Sequence, residues 1–398
     1  MSTKELASRL SSFGASATGA VQNKVNELLR AGQSILSLNS GEPDFDTPST
    51  AKEAAIAAIR EGFTKYTSTN GCAELREAIA EKLARENGLK YSIDEICVTT
   101  GAKQAIFEAV MAICGEGDEV LIPIPSWVSY SAIVSISGAV PVFVSSAPDY
   151  SLDLAALEAA VTARTKAVII CSPNNPSGAV YSEESLRALA DLAVRYDFFI
   201  ITDEIYEKLI YDGCRHFSIA SVSDEVRERT VTVNGFSKAY AMTGWRLGYA
   251  AARKDIIKAM IKLQGQVTSC ANSITQKAAI GALRGSQEEA EAMVRVFRER
   301  RDFVCERVSR MPHISFVRPH GAFYLLLEVS YYLGRSYQGR VISDAVELCE
   351  FLIETAHVAA VPGDSFGIGG HIRIVYAKST GVLARALSEI EKALQLLK

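Results

Sequence analysis

Apolar positions recur along this chain with two different periods. Val21, Val25, Leu28 and Leu29 share one stripe at helical spacing, which predicts an N-terminal arm followed by a helix within residues 1–34. Residues 35–38 read as a short strand, and 41–48 as a structured loop whose last residue, Pro48, opens a helix over 49–60. A further amphipathic helix is predicted over 75–87. From residue 96 the texture changes. Short β-branched runs at 96–99, 119–122, 140–144, 167–171, 198–202, 230–233 and 247–251 alternate with helical stretches at 102–113, 126–137, 154–160 and 182–195. This alternation predicts an α/β fold with a mostly parallel sheet covered on both faces.

The last third reads differently. A helix-rich stretch begins at 256–264, and a long charged helix is predicted over 286–307. Strands at 314–317, 323–327, 358–361 and 371–376 then mix with helices at 341–355 and 380–396, as in a smaller α+β unit. The expected organisation is an N-terminal arm and first part of a small domain over 1–45, a large domain over 46–290, and the rest of the small domain over 291–398. No internal repeat or low-complexity linker breaks this plan.

Composition narrows the function classes. Of 398 residues, 48% are apolar and 22% charged, with a formal net charge of -4, so neither a nucleic acid nor a membrane is an expected partner. The five histidines include no pair at metal-ligand spacing, and no metal is expected. The eight cysteines form no CxxC and read as buried thiols of a reducing compartment. The N-terminal residues carry no apolar signal core and no run reaches 18 apolar residues, so a cytoplasmic location is expected.

The candidate chemistry lies where strands end. Lys238 follows the run at 231–235 in an otherwise uncharged stretch, where desolvation would lower the ammonium pKa and free the amine as a nucleophile. Asp203 closes the strand at 198–202; it serves either as a helix cap or as the carboxylate that keeps a pyridine ring nitrogen protonated. Tyr206 would face the same side, within reach of a phenolate oxygen of that ring. Asn175, in a turn between two prolines, can present an amide to the ring. The turn at Gly101, Ala102 and Lys103 opens a helix and can seat a phosphate, with Arg246 as a fixed fork and Ser237 as a hydroxyl donor. Trp127 is either a core tryptophan or a stacking partner for a planar ring. Arg373, inside a β-branched run, either faces water on an edge strand or grips a substrate carboxylate. No serine-hydrolase elbow and no early GxGxxG is present, and the set suits pyridoxal phosphate.

With these segments in view, the chain resembles the class I aminotransferases of pyridoxal-phosphate fold type I, within them the aspartate/prephenate branch. The resemblance runs through 41–48, 65–67, 101–104, 127–130, 172–178, 202–206, Ser237-Lys238, 244–246, 319–323 and Arg373. It implies that Lys238 is the Schiff-base lysine and proton shuttle, Asp203 the partner of the pyridine nitrogen, Tyr206 and Asn175 contacts of the ring oxygen, and Trp127 the stacking residue. Gly101, Ala102, Lys103, Ser237 and Arg246 would line the cofactor phosphate. The resemblance also implies a homodimer with shared active sites, Tyr66 reaching the phosphate from the neighbouring subunit. Arg373 would hold the α-carboxylate, helped by Asn175 and the backbone of Gly41.

For the substrate, the resemblance points to an amino acid and 2-oxo acid pair, dicarboxylic in character, with Lys103 and Thr18 at the distal carboxylate. Aspartate and 2-oxoglutarate fit this by ping-pong transfer; prephenate (forming arogenate), an aromatic amino acid or, further off, a lyase reaction are the alternatives. The chain departs from the usual pattern at Asn39-Ser40, at Ser126 and in the proline-free segment 14–18, all near the expected substrate mouth. These departures bear on substrate range and not on reaction class. A regulator that keeps such a domain is disfavoured by the absence of a DNA-binding extension.

Overall fold

The computed structural model describes residues 7, 10, 13, 14 and 17–398, without the side chains of residues 17, 18 and 20. Seven strands form the large sheet: β1 (Ile96–Thr99), β2 (Glu119–Ile124), β3 (Val140–Ser145), β4 (Thr165–Cys171), β5 (Phe199–Asp203), β6 (Thr230–Gly235) and β7 (Gly248–Ala251). Their spatial order is β1-β7-β6-β5-β4-β2-β3. The pairs among β3, β2, β4, β5 and β6 are parallel, and β7 runs antiparallel to both β6 and β1. The sheet is therefore mostly parallel, as its apolar runs predict. Helices such as Ala102–Ile113, which buries Ala105, Ile106, Ala109 and Val110, cover strands buried along their whole length.

Register decides where the site sits. Cys171 pairs with Asp203, and Asp203 with Val233, so β4 and β5 end level and β6 runs on to Gly235 beside them. Ligands of open α/β sheets bind beyond such carboxyl ends. The turns after these three strands carry Asn175, Tyr206 and Lys238.

A second sheet comprises β8 (Ser315–Phe316), β9 (Tyr324–Glu328), β10 (Val361–Pro362) and β11 (His371–Val375), antiparallel in the order β10-β11-β9-β8. Arg373 lies on the interior strand β11, opposite Leu326 and Val361. The edge-strand alternative for this arginine is thereby removed. Residues before the first loop join this region: Leu36–Ser37 pairs with Val358–Ala359, and Val375 donates its N–H to the Leu38 carbonyl at 2.9 Å.

Four details differ from the sequence pattern. The run at 358–361 is not one strand, because Val358–Ala359 and β10 pair in different sheets. On helix Ala17–Arg30, Val25 is buried but Leu29 is exposed, so the apolar stripe is narrower than expected. The helix after Trp127 starts at Ser129, which leaves the tryptophan ahead of it. The boundary expected at 290 falls inside helix Glu288–Val308, which runs on from one part of the chain to the next.

Candidate active site

The carboxyl ends of β4, β5 and β6 face β9, β11 and the loop after Leu38 across a cavity of about 430 Å³. Lys238 reaches into it and donates from Nζ to the Gly41 carbonyl at 2.5 Å. Burial lowers its pKa to about 8, with Arg246 and Arg373 adding to the effect and Glu42 and Asp203 opposing it. Near pH 7.5 roughly a quarter of such amines are neutral, against about one in a thousand for an ordinary lysine. The desolvation argument made from sequence thus has a structural counterpart.

Asp203 is 4% exposed and accepts from the Tyr130 hydroxyl at 2.7 Å and from the Ile205 N–H at 3.2 Å. Burial raises its pKa to about 6, although Tyr130 and Ile205 pull it down. The Ile205 bond is the local cap that the sequence allowed; the other oxygen is left to Tyr130 and the cavity. Tyr206 shares a 2.7 Å hydrogen bond with Tyr324, and its ring meets Phe323 edge-on.

Arg373 is buried. Its Nη1 donates to Asn175 Oδ1 and its Nη2 to the Asn39 carbonyl, each at 2.9 Å. Nε has no partner, and the guanidinium lies over Tyr324 and Phe366. A buried cation with an orphaned donor is costly unless an anion completes it. A carboxylate is the group that matches this fork.

At the other side, Gly101 has φ +86, and a Cβ there would come within 2.5 Å of Arg246 Nη2. Gly248 permits a similarly close backbone approach at Ala102. Arg246 is tied down by Nη1 to the Thr243 carbonyl. The N-terminus of helix Ala102–Ile113, Ser237 and this arginine line one side of the cavity, and together they could hold a phosphate. Lys103 Nζ sits 4.7 Å from the Trp127 ring, which itself meets Tyr130 edge-on. Lys103 is held below the ordinary lysine pKa by burial and by Arg246.

Most of the expected residues converge: Gly41, Ala102, Lys103, Trp127, Asn175, Asp203, Tyr206, Ser237, Lys238, Arg246 and Arg373 all line the cavity. Tyr66 does not line it and is 90% exposed. The side chain of Thr18 lies outside the described residues. Sequence reasoning gave no role to Tyr130, Tyr324, Asn39, Glu42 or Gln22. Tyr130 had a local signal, since it lies three residues after Trp127. The others are brought in by long-range strand and loop contacts that no local pattern announces.

The family model for Aminotransferase class I and II matches residues 33–390. The chain belongs to this family. It is 46% identical over 400 residues to the Petunia hybrida bifunctional aspartate aminotransferase and glutamate/aspartate-prephenate aminotransferase, covering 99% of this chain and 83% of that one. The crystal structure of the Rhizobium meliloti aspartate aminotransferase superposes with a TM-score of 0.95 at 43% identity, covering 99% and 100% of the two chains. The Thermus thermophilus aspartate aminotransferase with maleate follows at 0.92 and 44%, covering 98% and 100%. The fold is that of the fold type I transferases, and the enzyme is a pyridoxal-phosphate-dependent aminotransferase.

The residues present fit that cofactor. A buried carboxylate, Asp203, lines the cavity and can pair with a ring cation; the turn at Gly101, where a Cβ would meet Arg246, can hold a phosphate; and the Lys238 amine lines the same cavity. Among the described residues, Lys103, Arg246 and Arg373 line one cavity and form no ion pair with a carboxylate. No helix among the described residues is long and apolar enough to cross a membrane.

Proposed function

We propose that this aminotransferase exchanges the amino group of L-aspartate with 2-oxoglutarate, giving oxaloacetate and L-glutamate. The observation that carries the reading is the set of three unpaired cations around Lys238. One cation suits the cofactor phosphate, and two suit the two ends of a dicarboxylic acid. The aspartate aminotransferases among its relatives, and the maleate in the Thermus thermophilus structure, support a dicarboxylic substrate.

Pyridoxal phosphate, when bound, supplies an aldehyde that captures amines and a ring that accepts the electron pair left when Cα loses its proton. Asp203 would hold the proton on the ring nitrogen, an ion pair that would offset the carboxylate's burial. Tyr206, oriented by Tyr324, would donate to the ring oxygen, with Asn175 on the same side of the ring. Trp127 would cover a ring face. Gly101, Ala102, Ser237 and Arg246 would hold the phosphate. Arg373 clamps the α-carboxylate through the donors that Asn175 and Asn39 leave free, with the Gly41 backbone alongside. Lys103 and Thr18 meet the distal carboxylate. Lys238 would hold the cofactor's aldehyde carbon and, as a free amine, would move the proton to and from Cα, with a pKa lowered by burial to about 8 that suits either direction near neutrality. We also infer a cytoplasmic homodimer in which Tyr66 serves the neighbouring site, consistent with its 90% exposure. Within it, 46–290 would form the large domain, with 1–45 and 291–398 making the small one.

Prephenate is the second reading. The 46% identity to a bifunctional relative favours it, because the same two cations suit both carboxylates of that acid. The test is kcat/KM for aspartate, arogenate, tyrosine and alanine with 2-oxoglutarate. Aspartate should lead alanine by at least about 100-fold, as expected for an ion pair formed in a secluded site. Equal use of alanine would remove Lys103 from its role.

A further inference from the structure

The turn at Gly101 is held from behind by a chain of side chains. Thr100 donates its N–H to Gln104 Oε1 at 2.7 Å. Gln104 Nε2 donates to Glu108 Oε1 and to Thr268 Oγ1, each at 2.8 Å. One amide thus ties the turn to the body of helix Ala102–Ile113 and to Thr268, which ends helix Lys254–Val267. The two acceptors also set its orientation. With Nε2 committed to them, Oε1 has to face Thr100.

Glu108 is the far end of this chain. It is 2% exposed, and its Oε2 has no partner. A buried carboxyl with a single donor is poorly suited to carry a charge. Burial accordingly pushes its pKa up to about 7, against the pull of Gln104, and among the described residues no cation pairs with it. The elements packed on this helix bring few titratable groups. Cys97 of β1 is held above the ordinary thiol range by burial and then by Glu108 itself. Tyr130 of helix Ser129–Ile136 and Asp203 of β5 bond each other. Tyr249 of β7 belongs with Phe236 and Leu247 to a separate core cluster, and β6 carries no titratable side chain. Lys254, Asp255, Lys258 and Lys262 of helix Lys254–Val267 are exposed.

We propose that Gln104 and Glu108 are positioning residues for the cofactor phosphate, Gln104 by holding the turn at Thr100 and Gly101, and Glu108 by anchoring Gln104 and setting its own charge against the phosphate. This rests on the reading of that turn as the phosphate seat. Two effects of the charge compete. An anionic Glu108 polarises Gln104 and strengthens the bond to Thr100 by roughly 10–30%. It also repels the phosphate. The six residues from Ala102 to Glu108 span about 9 Å of helix rise. At that separation each unit of charge changes an affinity by roughly tenfold. Repulsion outweighs polarisation, so the seat grips best while Glu108 is neutral and loosens as pH rises through about 7.

Retention of the cofactor tests this. The full-length holoenzyme in its pyridoxamine phosphate form is diluted at pH 6 and at pH 8, and the fluorescence of released cofactor gives Kd. Between these pH values Kd of the unaltered enzyme should rise about fivefold more than that of Glu108→Gln, which keeps an acceptor for Gln104 but no charge. A tenfold full effect leaves about this step when the group titrates near 7. The ratio of the two proteins cancels the titration of Lys238, of Asp203 and of the cofactor itself. Gln104→Leu should weaken retention about fivefold already at pH 6, the loss expected for one buried hydrogen bond. An equal ratio at both pH values would overturn the role of Glu108, and an unchanged Kd in Gln104→Leu the role of Gln104. Glu108→Gln is nearly isosteric and gives a result even if Gln104→Leu fails to fold. If Arg246→Met retains the cofactor as firmly as the unaltered enzyme, the phosphate reading itself falls.

Discussion

Arg373 Nη1 and Asn175 Oδ1 meet at 2.9 Å, joining the interior strand of the small sheet to the turn after β4 of the large one. The clamp for a carboxylate therefore draws its geometry from both sheets. Lysine at this position would keep the charge but lose the planar fork. Arg373→Lys should reduce kcat/KM for aspartate by about 100-fold or more, mainly through KM, since a fork to a buried carboxylate is replaced by a point charge. A loss below threefold in steady-state assays would show that the α-carboxylate binds elsewhere.

Asp203 sets activity against stability. With its pKa raised to about 6 by burial, the cofactor-free protein carries an ion that resists burial. A carboxyl raised in this sense contributes stability that is full below its unfolded value of 3.8 and is lost as pH rises through about 6. By pH 7 the cost is roughly 3 kcal/mol, less whatever the Tyr130 bond returns. Cofactor-free Asp203→Asn should accordingly gain about 1–3 kcal/mol at pH 7 in denaturant titrations, with little gain at pH 4. The same variant should lose nearly all transamination. Equal stability changes at both pH values would contradict this origin.

The large sheet was legible in the sequence because its strands are short, β-branched and wholly buried, and its helices announce themselves by period. Lys238, Asp203, Asn175 and Arg373 were legible because each interrupts or closes such a run with a group that is costly to bury. What stayed hidden depends on contacts between distant segments. The Tyr206–Tyr324 pair spans 118 residues, and the hold of Asn39 on Arg373 spans 334. The two-residue strands at Val358–Ala359 and β10 looked like one run, because their separation is set by partners far away in sequence.

Behind Asp203 lies a buried charge network that catalysis does not use. Lys82 pairs with Glu207, Asn87 donates to Glu207 at 2.7 Å, and His216 meets Glu204 at 2.9 Å. Glu207 titrates at about 2: burial works to raise it, but Lys82 and His216 outweigh that and bring it below its ordinary 4.5. A carboxyl lowered in this way contributes stability present above 4.5 and lost as pH falls through about 2. Glu207→Gln should therefore cost about 3 kcal/mol or more at pH 7, since it also strands Lys82. Its deficit should shrink between pH 4.5 and pH 2, read by chemical unfolding at each pH.

Catalysis as proposed here depends on one amine that would carry the cofactor. Sodium borohydride reduction of the holoenzyme, followed by peptide mass mapping, should place a phosphopyridoxyl group on Lys238, at the end of β6. Lys238→Ala should lose both that label and nearly all transamination. A label on another lysine, or full activity in the variant, would contradict the assignment.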